Sequence, residues 1–206
     1  MAREGVRWNA RRPAIGYGAR TMGKPMPTID ESMRVFLAAQ HVFFVATAPS
    51  GDSGLVNCSP RSADTFRVLG PTTVAWLDGT GSGIETIAHL RQNRRIVLMF
   101  CAFEGPPKIV RLHGRGTAIE AGEPEFVRQR PQFGTPPFAE RAIVRVDISR
   151  IAGSCGFGVP LYRYEGERDQ MATWAGAKGV EGARAYRREK NAHSLDGLPG
   201  LRWPGE

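Results

Sequence analysis

Three short stretches carry residues that could do chemistry. In "GTGSGIETIAHL", Gly79 to Leu90, small residues lead from an apolar run into what reads as a helix. A helix start presents unpaired amides and the positive end of the peptide dipoles, so small residues ahead of it let an anion approach the main chain. The stretch is neither a Walker loop nor a G-x-G-x-x-G fingerprint, because the Gly-Lys-Ser/Thr and the third glycine are missing. Ser82 with Glu85 also forms an S-x-x-E capping box, so a phosphate seat and a plain helix cap are both open. In "NCSPRSAD", residues 57–64, a strand is expected to break at Pro60 with Arg61 and Ser62 at its end; that guanidinium suits a phosphate or an electron-rich ring edge, or is simply solvated. In "SCGFGVP", residues 154–160, small residues around Phe157 would let a flat ring lie against backbone.

Other chemistries find little footing. Cys58, Cys101 and Cys155 are far apart with no C-x-x-C spacing, so reduced thiols are expected. No neighbour in sequence would activate Cys155. His41, His89, His113 and His193 show no metal-ligand spacing, and no G-x-S-x-G elbow exists, so no metal and no catalytic residue is assigned. His89 reads as a surface residue of its helix.

The elements that must position these stretches follow from period and turn chemistry. Thr28 to Glu31 is a T-x-x-E box opening a helix with Met33, Phe36, Leu37 and Gln40 on one face. "HVFFVATA" (41–48) and "LVNCSP" (55–60) flank a turn and predict a hairpin, and "DTFRVLG" and "TTVAWLD" add two strands around Gly70-Pro71. A helix of two or three turns with Ile84, Ile87 and Leu90 on its apolar face should end near Asn93. Two long strands (95–103 and 108–121), a short helix (EPEFVRQR), a further strand (141–154) and a glycine-weakened helical tail complete the chain. Six or seven strands dominated by hairpins, with short helices inserted, predict a mainly β, α+β fold: an antiparallel barrel or curved sheet.

The 206 residues, 41% hydrophobic and 23% charged, fit one globular domain of a cytoplasmic protein, with no apolar run long enough to span a membrane. The net charge is +8, and residues 1–25 hold six basic residues against Glu4, so most of the excess lies in one Gly- and Pro-broken segment. That segment reads as a basic flexible arm, or as upstream sequence ahead of a true start at Met22 or Met26; nucleic-acid binding is not the expectation for residues 26–206.

Residues 56–116 together resemble the FMN-binding split-barrel family related to pyridoxamine 5'-phosphate oxidase. A strand ending in Ser-Pro-basic, a strand pair, a small-residue turn into a helix with "HLRQN", then "IVLMF" and "VRLHGRG" occur in the order that family uses. "SCGFGVP" and "YRREKNAHSLDGLPGL" extend the likeness to about residues 26–201. The resemblance implies a six-stranded antiparallel split barrel, a homodimer, and FMN in a groove between subunits. It implies that Asn57, Cys58, Ser59, Pro60, Arg61 and Ser62 run beside the flavin ring, that Leu77 and Asp78 close the next strand against it, and that Ser82, Gly83 and Thr86, aided by Arg111, hold the phosphate. The vitamin-pathway oxidases place an Arg-Lys pair where this chain has Glu85-Thr86, and their C-terminal product-binding elements are replaced by "LYRYEGERDQMATW". The expectation is therefore an FMN-dependent oxidoreductase with a substrate other than pyridoxamine phosphate. The alternatives are a deazaflavin reductase of the same fold and a non-enzymatic flavin-binding protein.

Overall fold

A computed structural model describes residues 26–134 and 139–202; the basic arm lies outside them. The chain runs α1 (Glu31–Ala38), β1 (Val42–Thr47), β2 (Asn57–Ser62), β3 (Phe66–Gly70), β4 (Thr73–Gly79), α2 (Glu85–Asn93), β5 (Arg95–Cys101), β6 (Ile109–Glu120), α3 (Pro124–Gln129), a 3-10 turn (Arg130–Phe133), β7 (Glu140–Ser154) and α4 (Gln170–Lys190). All strand pairs are antiparallel, in one sheet ordered β2-β1-β5-β6-β7-β4-β3. The sheet has seven strands where the family resemblance implied six, because β3 and β4 form a complete hairpin at one end.

The sheet curls until its two ends meet. β2 lies at one end of the strand order and β4 beside the other, yet Arg61 Nε on β2 reaches Asp78 Oδ1 on β4 at 3.3 Å. The result is a half-barrel whose split is the gap between β2 and β4. Pro60 sits inside β2 rather than ending it, which an edge strand tolerates because one side of its backbone is unpaired.

Inside the curl, alternation on β1 buries Phe43, Val45 and Thr47. Phe43 packs against Phe66, Trp76 and Phe100 with ring centroids 5.3–5.6 Å apart, an aromatic cluster that ties both ends of the sheet to its middle. β4 is buried on both faces, since Ala75 and Leu77 meet Phe126 of α3 and Phe133 of the 3-10 turn on the outside.

Both expected capping boxes are absent. Asp30, not Thr28, caps α1, its Oδ1 accepting from Met33 N at 2.8 Å. The Met33 amide and the Ser32 hydroxyl hold the Asp30 carboxyl below its usual range. On that helix Met33 and Leu37 are buried as expected, while Gln40 lies past its end and donates to Phe36 O. α2 has no side-chain cap, and Glu85 Oε1 instead accepts from Leu195 N, 3.3 Å away in the C-terminal segment.

Candidate functional site

A cleft of about 570 Å³ opens at the split of the half-barrel. Its floor is the end of β4, one wall is β2, and its inner end is the loop that enters α2. Strand geometry decides what β2 offers: Asn57, Ser59 and Arg61 share the partly buried face, while Cys58 is exposed on the other.

Asp78 is the electrostatic centre. Its side chain is 2% exposed, with Oδ2 accepting from Arg141 Nε at 2.8 Å and Oδ1 facing Arg61. Burial works against its charged form, but the guanidiniums of Arg141 and Arg61 outweigh that and hold the carboxyl below its usual range. Arg141, itself 2% exposed, also donates to Gly81 O at 3.2 Å and to Asn191 Oδ1 at 3.0 Å, so its charge is committed to the fold. Arg61 keeps about a quarter of its side chain exposed to the cleft.

The loop 79–84 is held from behind. Thr80 N donates to Ala139 O at 2.7 Å, and Thr80 Oγ1 accepts from Arg187 of α4 at 3.2 Å. Asn191, fully buried just past α4, donates through Nδ2 to Gly81 O at 2.8 Å and to Ser82 O at 3.4 Å. The peptides are trans and planar, so fixing these two carbonyls turns the Ser82 and Gly83 N–H groups to the opposite side. Gly81, Ser82 and Gly83 line the cleft, and the Ser82 and Gly83 amides have no hydrogen-bond partner among the described residues. The side chains that line it include Arg61, Arg141 and Arg168 against Asp64, Asp78, Glu85 and Glu167. With four carboxylates against three guanidiniums, an anion here depends on main-chain donors.

A polar chain fixes the wall to the helix. Ser59 Oγ donates to Asn57 Oδ1 at 2.8 Å, and Asn57 Nδ2 donates to Thr86 Oγ1 at 3.1 Å and Thr47 Oγ1 at 3.2 Å. Thr47 Oγ1 lies 3.0 Å from His89 Nδ1. The other ring nitrogen of His89, Nε2, lies 4.0 Å from Asp196 Oδ2. Burial pushes the His89 imidazole below its usual range, against the pull of Asp196 and Glu85. His89 is thus a buried neutral histidine and not the expected surface residue, because the C-terminal segment covers the face of α2 that the sheet does not.

Ten of the twelve residues singled out in the sequence border this cleft: Asn57, Ser59 to Ser62, Leu77, Asp78, Ser82, Gly83 and Thr86. Cys58 is exposed and does not border it. Nor does Arg111: it lies on β6, the middle strand of the seven and opposite the split, where it donates to Ser154 Oγ at 3.1 Å. Beside it, burial pushes the Cys101 thiol up, and all three cysteines are free thiols. Sequence reasoning missed Arg141, Asn191, Thr47 and the outer wall formed by Glu167, Arg168, Met171 and Ala172. Among the described residues no cluster of candidate metal ligands exists, and no helix is long and apolar enough to cross a membrane.

Residues 29–155 match the protein family described as pyridoxamine 5'-phosphate oxidase. The pyridoxamine 5'-phosphate oxidase family protein ustO of Aspergillus flavus is 35% identical over 190 residues, covering 84% of this chain and 76% of that protein. Among solved structures, HupZ of Group A Streptococcus is similar at 21% identity with a TM-score of 0.47, over 60% of this chain and 91% of that one. An FMN-binding protein of Syntrophomonas wolfei is similar at 18% identity with a TM-score of 0.45, over 63% and 85%.

Proposed function

The chain belongs to the pyridoxamine 5'-phosphate oxidase family, and from that premise we propose that its cleft holds FMN and that the protein is an FMN-dependent oxidoreductase. The observation that carries this reading is the tied-back loop: with Gly81 O and Ser82 O bonded to Arg141 and Asn191, the amides before α2 are left for a phosphate. The donor set fits the group. The Ser82 and Gly83 amides and the hydroxyls of Ser82 and Thr86 would hold the phosphate, while Leu77 and the Asn57–Arg61 strand would flank the ring. The cleft volume lies within the range of about 300–1,000 Å³ usual for small-molecule sites.

A bound flavin supplies hydride and one-electron chemistry that no side chain of this cleft offers. The chain's own work is to bind, orient and shield. Asp78 and Arg141 neutralise each other and keep the floor in place, and Arg61 presents the part of its guanidinium not engaged with Asp78 to the ring edge. Pyridoxamine phosphate is not the proposed substrate, since Glu85-Thr86 stands in place of a basic pair and 161–174 replaces the oxidases' product-binding elements. A deazaflavin with a longer anionic tail is disfavoured by the excess of carboxylates over guanidiniums along the cleft. Flavin binding without turnover is the second reading, favoured by a floor whose charged groups are already paired with one another. We place the site in a homodimer, in keeping with the family; sedimentation of a monomer that nonetheless binds flavin tightly would remove that part.

Titration of purified protein with FMN and with riboflavin tests the seat. FMN is expected to bind at least about tenfold more tightly, the preference coming from the phosphate. Equal affinity for both, or no uptake of either, overturns the proposal.

A further inference from the structure

We infer that residues 167–178 form a hinged cover on the cleft, pivoting at Gly166 and Gly179 and closing through Trp174 against Tyr186. What the cover encloses rests on the FMN reading; the hinge rests on the chain alone.

The helix α4 is not one rod. Residues 174 and 186 of a straight helix would be about 18 Å apart along its axis, yet the two rings meet edge to face with centroids 4.9 Å apart. The reversal occurs at Gly179, whose φ of 62° and ψ of −176° fall in a region essentially open to glycine only. The two halves therefore fold back on each other. Lys178 lies 5.9 Å from the Trp174 ring and 5.6 Å from the Tyr186 ring and completes the clasp.

The halves are attached differently. The second holds Ala183, the buried residue of α4, and Arg187, which donates to Thr80 Oγ1 and Glu140 O, and it leads into the buried Asn191. The first half buries no side chain, and Met171 is 43% exposed even though it lines the cleft. Upstream, the chain is pinned at Tyr164, whose ring stacks on His41 at 3.6 Å and whose amide donates to Glu104. Gly166 follows at φ 147°. The cover is thus the stretch between two fixed points, Tyr164 and Ala183, with a glycine of positive φ inside each end. All four residues that α4 and its approach contribute to the cleft, Glu167, Arg168, Met171 and Ala172, lie on that stretch. The family match ends at residue 155, so the cover is built from chain beyond the matched region.

Amide hydrogen exchange on the full-length protein, followed by mass spectrometry, tests the hinge. Residues 167–178 are expected to exchange faster than 183–190 without ligand and to slow when FMN is added. Gly179→Ala favours a right-handed helical turn at the reversal, so α4 straightens; the maximum dimension in small-angle scattering rises, and FMN dissociates about tenfold faster. Trp174→Ala leaves the pivot alone and opens the clasp, speeding dissociation by about three- to tenfold, the worth of one aromatic pair. Wild-type dissociation rates in both variants, or exchange at 167–178 as slow as at 183–190, overturn the cover. Should the protein bind no FMN, the site reading fails, and the exchange contrast with the scattering of Gly179→Ala still decides the hinge.

Discussion

The floor of the cleft and its cover are made of the same residue types and behave in opposite ways. On the floor, Asp78 and Arg141 are each 2% exposed and bonded to each other, and Asn191 and the loop carbonyls absorb the remaining donors. On the cover, Arg168 and Glu167 are exposed, and among the described residues Glu167 accepts only from the Tyr164 hydroxyl, at 3.0 Å. A buried charge must keep its partner because the alternative is an uncompensated ion in a poor solvent, whereas an exposed one exchanges its partner for water at almost no cost. The floor can therefore fix where a ligand's groups lie, and the cover can govern entry without disturbing the fold.

The largest expected effect comes from breaking the floor. Asp78→Ala leaves Arg141 buried without its anion and should cost about 3–5 kcal/mol of stability, read by denaturant unfolding. A loss below about 1 kcal/mol would mean the pair is solvated and the comparison fails. The same pair sets an acid limit. The Asp78 carboxyl is lowered from its ordinary 3.8, so its contribution is complete above that value and is lost as the pH falls through the folded-state value. Unfolding free energy should drop as the pH falls below about 4, and Asp78→Asn, though less stable at neutral pH, should show a shallower drop.

Asn191→Ala is the next step down. It removes the Nδ2 donor to Gly81 O and Ser82 O and the Oδ1 acceptor for Arg141, while the Arg141 bond to Gly81 O remains, so the loss should be about 1–3 kcal/mol, that of an unmade buried hydrogen bond. FMN affinity should fall more than riboflavin affinity, because the amides lose their orientation. Parallel losses for both ligands would detach the loop from the phosphate.

This ordering also explains what the sequence disclosed. Strands announced themselves through local pattern: alternation in "HVFFVATA" and the Gly70-Pro71 turn need no distant partner, and β1, β3 and β4 follow. The cleft residues on β2, β4 and the loop were legible as one ordered series of short motifs. Arg141 was not, because it stands inside a run that reads as plain strand and its partner is 63 residues away. His89 and the vacant Ser82–Glu85 cap were misjudged for one shared cause: the segment 191–201 returns to cover α2, taking the Glu85 carboxylate with the Leu195 amide. Arg111 was placed by motif alone, and only the strand order shows that β6 lies opposite the split. The fold-back of α4 had a visible trace in Gly176, Gly179 and Gly182, but glycines in a helical pattern say where a helix is weak and not which way it turns.

Smaller effects belong to charges at the edge of the floor. Glu85→Lys exchanges a carboxylate for an ammonium in the first turn of α2, beside the proposed phosphate. One charge near a helix start is worth about 0.3–1 kcal/mol, and reversal counts twice, so FMN should bind about three- to thirtyfold more tightly, with the gain shrinking as salt rises. Riboflavin should show no gain. An equal gain for riboflavin would place the phosphate elsewhere.

The smallest effect is expected on the cover, where Arg168→Gln mirrors the loss of charge on the floor. Arg168 is exposed, and its removal leaves no buried group without a partner. Stability should stay within about 0.5 kcal/mol of wild type, the usual span for surface substitutions. Hydrogen exchange at 183–190 should not change, because the anchored half of α4 is held by Ala183 and Arg187 rather than by the cover. A loss approaching that of Asp78→Ala would show that Arg168 supports the fold from the outside, and the division into a fixed floor and a free cover would then have to be redrawn with α4 as part of the floor.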